Sequence, residues 1–234
     1  YDASWGLALL SLVIFIIDRL ILEPIQQKQK LEAAAIQEEF DCDVLQIPWN
    51  DVELPKRPSR ETIISNAKHC ISKYGDDQLQ NWYAFSENDF IPLAIARFIC
   101  QRSNVSYDKR LRQRYVLVVS VLGFVVSVII FVVAAVYDLS FRGFLSNIIA
   151  PLLPAAGFVV GEIRQNKATI HSLDEIRDFI EKLWKTILSS KLSSNELLFK
   201  ARQLQNRIYL HRKGCPLIPD WMYERLRTTE ESLM

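Results

Sequence analysis

The stretch YVLVVSVLGFVVSVIIFVVAAV, Tyr115 to Val136, carries no charged residue and is long enough to cross a hydrocarbon core about 30 Å thick as a helix. A second uncharged run, FLSNIIAPLLPAAGFVVG, extends from Phe144 to Gly161 and lies at the lower end of spanning length. Between them stands Tyr-Asp-Leu-Ser-Phe-Arg-Gly (137–143), too short for anything but an antiparallel hairpin.

Upstream, Trp5 to Leu22 is apolar except for Asp18 and Arg19, and a polar break at Pro24 is expected to end it. It reads as a further span. A secretory leader is not indicated, since the basic start and small-residue cleavage site are missing. The lysines and arginines set the orientation. Lys28 and Lys30 follow the first span, Lys109, Arg110, Arg112 and Arg114 precede the second, and Arg164 and Lys167 follow the third. All three places are expected in the cytoplasm, with the hairpin tip outside. Three spans separate Tyr1 from Met234, and residue 1 is not Met, so a fourth, upstream span is expected in the complete protein. The fold class is therefore mainly α: a multi-span helical membrane protein with a mostly helical cytoplasmic domain. The expected divisions are a transmembrane helix (1–24), a cytoplasmic insert with helical stalks (25–114), a transmembrane hairpin (115–163) and C-terminal cytoplasmic helices (164–234).

Composition agrees. Half of the 234 residues are hydrophobic, yet 24% are charged and the mean hydropathy is only +0.06, so the apolar residues are concentrated in segments. Lys and Arg number 28 against 27 Asp and Glu, which gives no basic surface for nucleic acid. Cys42, Cys70, Cys100 and Cys215 lie far apart, with no CxxC and no histidine at ligand spacing, and read as ordinary buried thiols rather than a metal site.

The insert opens with Gln26 to Ala35, strong helix formers that should carry the first span into the cytoplasm as a stalk. Phe40, Cys42 and Val44 then alternate with Asp41 and Asp43, which predicts a short extended segment before Pro48 and Trp49. A helical stripe from Ile63 to Tyr74 follows, closed by Gly75, and Pro92 suits the first turn of a long helix. Glu32, Glu38 and Glu39 are expected to face Arg97, Arg102 or Lys109 across the two stalks. After Gly161, Ile170, Leu173, Ile176, Ile180, Leu183, Trp184 and Ile187 form one amphipathic stripe. Ser193 and Glu196 form a capping box for a helix bearing Leu197, Ala201, Leu204, Ile208 and Tyr209, which ends at Gly214. No phosphate loop, GxGxxG or HExxH occurs, and His69, His171 and His211 are isolated. Neither an enzyme nor a cofactor is indicated.

AAAIQEEFDCDVLQIPW (33–49), Asn81-Trp-Tyr83, Ile99-Cys-Gln-Arg-Ser-Asn104 and Tyr107-Asp108 follow one another in the order found in a known group. On these residues the chain resembles the SMODS-associated four-transmembrane effector family, departing from it by lacking the first span. The resemblance implies a bacterial inner-membrane protein encoded beside a cyclic-oligonucleotide synthase, a pore former that kills the infected cell. The implied partners are the lipid bilayer, further copies of the chain and a cyclic oligonucleotide.

Each span has a feature that such a role would use. Asn147, Ala150, Pro154, Gly157 and Gly161 share one small, partly polar face, and Gly157 with Gly161 forms a GxxxG pair. Ser120, Gly123 and Ser127 repeat the pattern in the second span, and Asp18 with Ser4, Ala8 and Ser11 lines one side of the first. Such faces are ordinarily packing faces, and lining a water path is the sharper reading. Pro151 and Pro154 predict a kink. A messenger would require cations for its phosphates and flat rings for its bases, which points to Trp49, Arg57, Arg60, Trp82, Tyr83 and Arg102. The plainer alternatives are core aromatics and cations drawn to anionic lipid. A constitutive channel or transporter subunit and a membrane-tethered scaffold are the competing functions.

Overall fold

A computed structural model describes residues 4–54, 56–75, 83, 91–137, 140–189, 192–223 and 225, and among these there is no strand. The helices are α1 (Ser4–Ile17), α2 (Glu23–Leu45), α3 (Arg60–Tyr74), α4 (Leu93–Val136), α5 (Phe141–Phe144), α6 (Ala150–Ser189) and α7 (Ser194–Gly214). Pro24 does not end the first helix as expected. A π-turn over Asp18–Leu22 joins α1 to α2 instead, and a second π-turn over Leu145–Ile149 leads into α6. Both turns have the same cause. Each contains the residue four before a proline, Leu20 for Pro24 and Asn147 for Pro151, whose carbonyl the proline ring would meet in a regular α-helix. Widening the turn by one residue relieves that clash and keeps the helix going.

The alternating segment is likewise helical. Phe40, Cys42 and Val44 lie inside α2, whose buried stripe is Ala34, Ala35, Glu38, Asp41, Cys42 and Leu45, while Phe40 and Val44 are over two-fifths exposed. Two of the six inward positions hold carboxylates, which disguised a helical period as a strand-like one.

The chain separates into two compact units. One comprises Tyr1–Lys28, Tyr107–Ser172 and Cys215–Met234. In it the apolar parts of α4 and α6 run antiparallel. Phe131 lies 5.6 Å from Phe144 between ring centroids, a Cβ on Gly123 would touch Val159 at 3.9 Å, and the Tyr115 hydroxyl donates to Glu162 at 3.2 Å. Arg112 is buried here rather than free at a leaflet: it donates to Asn166 Oδ1 (2.9 Å) and Pro216 O (3.0 Å) and pairs with Asp108 (3.0 Å). Leu117, Phe124, Phe131 and Phe158 are more than three-fifths exposed, an apolar surface of the kind that marks a membrane or protein contact. Among the described residues α4 alone is long and apolar enough to span a bilayer as one uninterrupted helix. The two other expected spans are cut by the π-turns, leaving α1 with 14 residues and starting α6 only at Ala150.

The other unit comprises Gln29–Ser106 and Leu173–Gly214. Its core joins Leu45, Ile47, Phe98, Val105, Leu173, Ile176, Ile180, Leu183, Leu197, Ala201, Leu204 and Ile208, so the stripe read from α7 is buried, as is the middle of that from α6, whose Ile170, Trp184 and Ile187 are half-buried. Burying a side chain such as Ile180 or Leu204 completely stabilises by about 1.5 to 3 kcal/mol. The caps form as read: Glu196 accepts from Ser193 N at 2.8 Å, and Gly75, at φ 78°, closes α3. Of the thiols, Cys42 and Cys100 are buried, but Cys70 and Cys215 are only half-buried.

Candidate functional site

The site grows from the C-terminal end of α2. Gln46 takes a left-handed conformation (φ 50°), and Arg97 of α4 caps the exposed carbonyls, donating to Leu45 O at 2.7 Å and Gln46 O at 3.1 Å. The chain then turns back so that Ile47 and Trp49 are buried, and Asn50 folds the next turn by accepting from Val52 N at 3.2 Å. Trp49 packs with Ala34, Cys42, Leu54 and Tyr209.

Beneath this loop is a buried set of charges. Glu38 accepts from the Arg202 guanidinium and from Gln205 Nε2 (2.9 Å). Asp41, one turn along, accepts from Gln205 (2.9 Å), Arg212 (2.7 Å) and the Tyr83 hydroxyl (2.8 Å). Gln101 Nε2 of α4 donates to Gln205 Oε1 at 2.9 Å, Asn104 donates to Tyr83, and Arg202 also reaches Pro48 O at 3.0 Å. Two carboxylates thus meet two guanidiniums in a buried setting, where the cost of desolvating the charges offsets much of their attraction. Burial disfavours the Arg212 cation, but the Asp41 charge and hydrogen bond outweigh that and raise its pKa. Burial and the Asp41 charge push the Tyr83 hydroxyl well above its ordinary value. Cys42 is pushed up to about 12 by burial and then by Glu38, against the opposing pull of Arg202.

The outer face differs. Arg57 lies over the Trp49 ring, 5.3 Å from its centroid, and one nitrogen pairs with Glu39 at 3.2 Å, leaving the arginine side chain 52% exposed. A guanidinium stacked on a fixed aromatic, with one edge open, can take an oxyanion in bidentate fashion. Two buried polar atoms lack a hydrogen-bond partner here: Trp49 Nε1 and Glu39 Oε2.

The expected ligand residues are therefore dispersed. Trp49 and Arg57 come together. The Tyr83 hydroxyl is committed to Asp41 and Asn104, and its ring stacks on Phe40 at 6.2 Å. Arg60 is exposed in the first turn of α3, Arg102 is exposed on α4, and Trp82 lies outside the described residues. The expected stalk pairs are replaced by others: Glu32 meets Asn66 (2.9 Å), Glu38 meets Arg202, and Glu39 meets Arg57. Of the span residues, Asp18 is half-buried in the first π-turn, while Ser120, Ser127 and Pro154 are exposed. Nothing lies within 4 Å of a Cβ placed on Gly157 or Gly161, and the Asn147 side chain lies outside the description. Sequence reading missed Asp41, Gln101, Arg202, Gln205 and Arg212. Their signal was polar residues at inward positions of otherwise apolar stripes, Gln205 beside Leu204 and Ile208 and Gln101 beside Phe98 and Val105. Among the described residues no group of three or more His, Cys, Asp or Glu is placed to hold a metal ion.

Among the described residues the chain is helical and carries an exposed apolar hairpin, the architecture of a membrane-associated helical protein. The chain belongs to the SMODS-associating 4TM effector domain family, matched over residues 2–234. It is 29% identical over 217 residues to the probable CBASS effector molecule IK1_05631 of Bacillus cereus (strain VD146), a match covering 84% of this chain. The chain spans 66% of that relative's length. No solved structure matches it.

Proposed function

We propose that the protein is a membrane effector of bacterial antiviral defence. A cyclic oligonucleotide binds its cytoplasmic part, copies of the chain associate or reorganise, and the inner membrane is permeabilised, killing the cell. The observation that carries this reading is α4: one 44-residue helix whose early residues Gln101 and Asn104 join the buried polar set and whose later residues are apolar and exposed. A change at the polar set therefore has a continuous helix along which to act. Family membership and the relative's name agree with this role.

In this proposal Trp49 and Arg57 contact the messenger, with Arg60, Arg102, Trp82 and Tyr83 as further candidates. Each phosphodiester carries one negative charge for a guanidinium, and each base offers a face for an aromatic ring. The separate small or polar faces that carry Asp18 on the first span, Ser120, Gly123 and Ser127 on the second, and Asn147, Pro154, Gly157 and Gly161 on the third serve association or line the opening. The open space over Gly157 and Gly161 leaves room for a second helix to approach. The soluble part and C-terminus lie in the cytoplasm, as the lysines and arginines flanking the apolar runs favour.

The test is dye release from liposomes carrying the complete protein, before and after adding a panel of cyclic di- and trinucleotides. Release that needs one nucleotide supports the reading, and release without any ligand points to a constitutive channel. No release from a correctly inserted protein sinks it. Gly157→Leu is expected to abolish release while leaving insertion intact.

A further inference from the structure

We propose that Glu39 is a built-in competitor for the anion site at Arg57: its carboxylate holds one edge of the guanidinium at rest, and a phosphate group binds there by displacing it. This rests on the reading of Trp49 and Arg57 as a ligand contact. The Arg57–Glu39 pair is weakly made. It has one N–O approach at 3.2 Å, whereas Arg212 meets Asp41 and Arg19 meets Glu23 at 2.7 Å. Charge-assisted hydrogen bonds ordinarily run about 2.7 to 2.9 Å. Glu39 has nevertheless given up much of its water: its side chain is 18% exposed, and Oε2 is buried without a hydrogen-bond partner. A carboxylate with one long bond and one empty oxygen is readily displaced.

The receiving group is, by contrast, held ready. Trp49 is 8% exposed and fixed among Ala34, Cys42, Leu54 and Tyr209, so the ring that Arg57 lies over is a fixed platform that does not depend on Glu39. A tetrahedral phosphate oxyanion can bridge two guanidinium N–H groups, where Glu39 uses one. Displacement would leave the helix register untouched, since Glu38 next to it is held by Arg202 and Gln205.

The experiment uses the full chain in detergent micelles as wild type, Glu39→Gln and Arg57→Gln, each shown to be folded by circular dichroism. Inorganic phosphate is titrated and followed by phosphorus NMR line width, and cyclic di-AMP is titrated by calorimetry. Glu39→Gln is expected to tighten phosphate binding about three- to fivefold, the effect of removing an exposed ion-pair competitor. Arg57→Gln is expected to abolish saturable binding. Equal affinity of wild type and Glu39→Gln for both phosphate and cyclic di-AMP, or saturable phosphate binding by Arg57→Gln, overturns the proposal. An effect of Glu39→Gln on cyclic di-AMP alone would assign the site to the nucleotide phosphodiester and against free phosphate. If no cyclic nucleotide releases dye but Glu39→Gln still tightens phosphate binding, the competitor survives and the effector reading falls. If release occurs at the same messenger concentration in wild type and Glu39→Gln, the competitor falls and the effector reading survives.

Discussion

Glu38 and Glu39 are neighbours on α2, and each pairs with an arginine, yet the two pairs lie in opposite environments. Glu38 is fully buried against Arg202 and is shared with Gln205, whereas Glu39 meets a half-exposed Arg57 through one long contact. A turn of about 100° between adjacent helical residues is enough to separate them. The inner carboxylate cannot be released without stranding a guanidinium in the core, and the outer one can exchange its partner for another anion at little cost. One helix thus carries a lock and a replaceable contact side by side.

The largest expected effect comes from breaking the lock. Glu38→Ala leaves the buried Arg202 charge without its carboxylate and removes one of the two acceptors of the Gln205 amide, which should destabilise the folded state by about 3 to 5 kcal/mol. Glu39→Ala should cost less than about 1 kcal/mol, as exposed pairs do. Urea unfolding in micelles, followed by circular dichroism, measures both, and equal losses would break the comparison.

That lock was the part least legible in the sequence. The apolar stripes of α6 and α7, the hairpin, the Ser193–Glu196 cap and the Gly75 and Gly214 helix ends all followed from local rules, because their determinants lie within a few residues of one another. Glu38 and Arg202 are far apart in the chain, and either residue alone reads as solvated surface. Asp41 defeated the reading doubly: its charge at an inward position made α2 look extended, and its partners Tyr83 and Arg212 come from different segments. The prolines misled for the opposite reason. Pro24 was given its usual effect on an α-helix, whereas a π-turn accommodates it. Arg57 over Trp49 was half legible: both residues stood out in the sequence, but only the loop fold brings them together.

An intermediate effect is expected at alkaline pH. The Cys42 thiol moves from about 9 to about 12 in the folded state, and Tyr83 is also raised. Both keep their protons in the fold and lose them more easily when unfolded. Stability should therefore hold below pH about 9 and fall as the pH climbs towards 12. Urea midpoints at pH 8 and 10.5 should differ clearly in the wild type and less in Cys42→Ala. Glu39→Gln should leave the difference unchanged, since Glu39 contributes to neither shift.

A smaller gain is expected just beyond the lock. Gln46 holds a left-handed conformation that glycine adopts freely, and its contribution to the Arg97 cap is a backbone carbonyl that a substitution leaves in place. Gln46→Gly should stabilise by about 0.5 to 1 kcal/mol. A loss would mean that the side chain makes a contribution beyond ending α2.

The smallest expected change in stability is also the most informative for function. Glu39→Gln should alter the unfolding free energy by less than about 0.5 kcal/mol, because the amide keeps the shape and the pair it breaks is exposed. It should nevertheless change anion affinity, because it removes a negative charge from beside Arg57. A variant that is silent in unfolding and visible in binding would separate the two carboxylates by role as well as by burial. If Glu39→Gln instead destabilised the protein as Glu38→Ala does, both would belong to the lock, and α2 would offer no exchangeable contact at all.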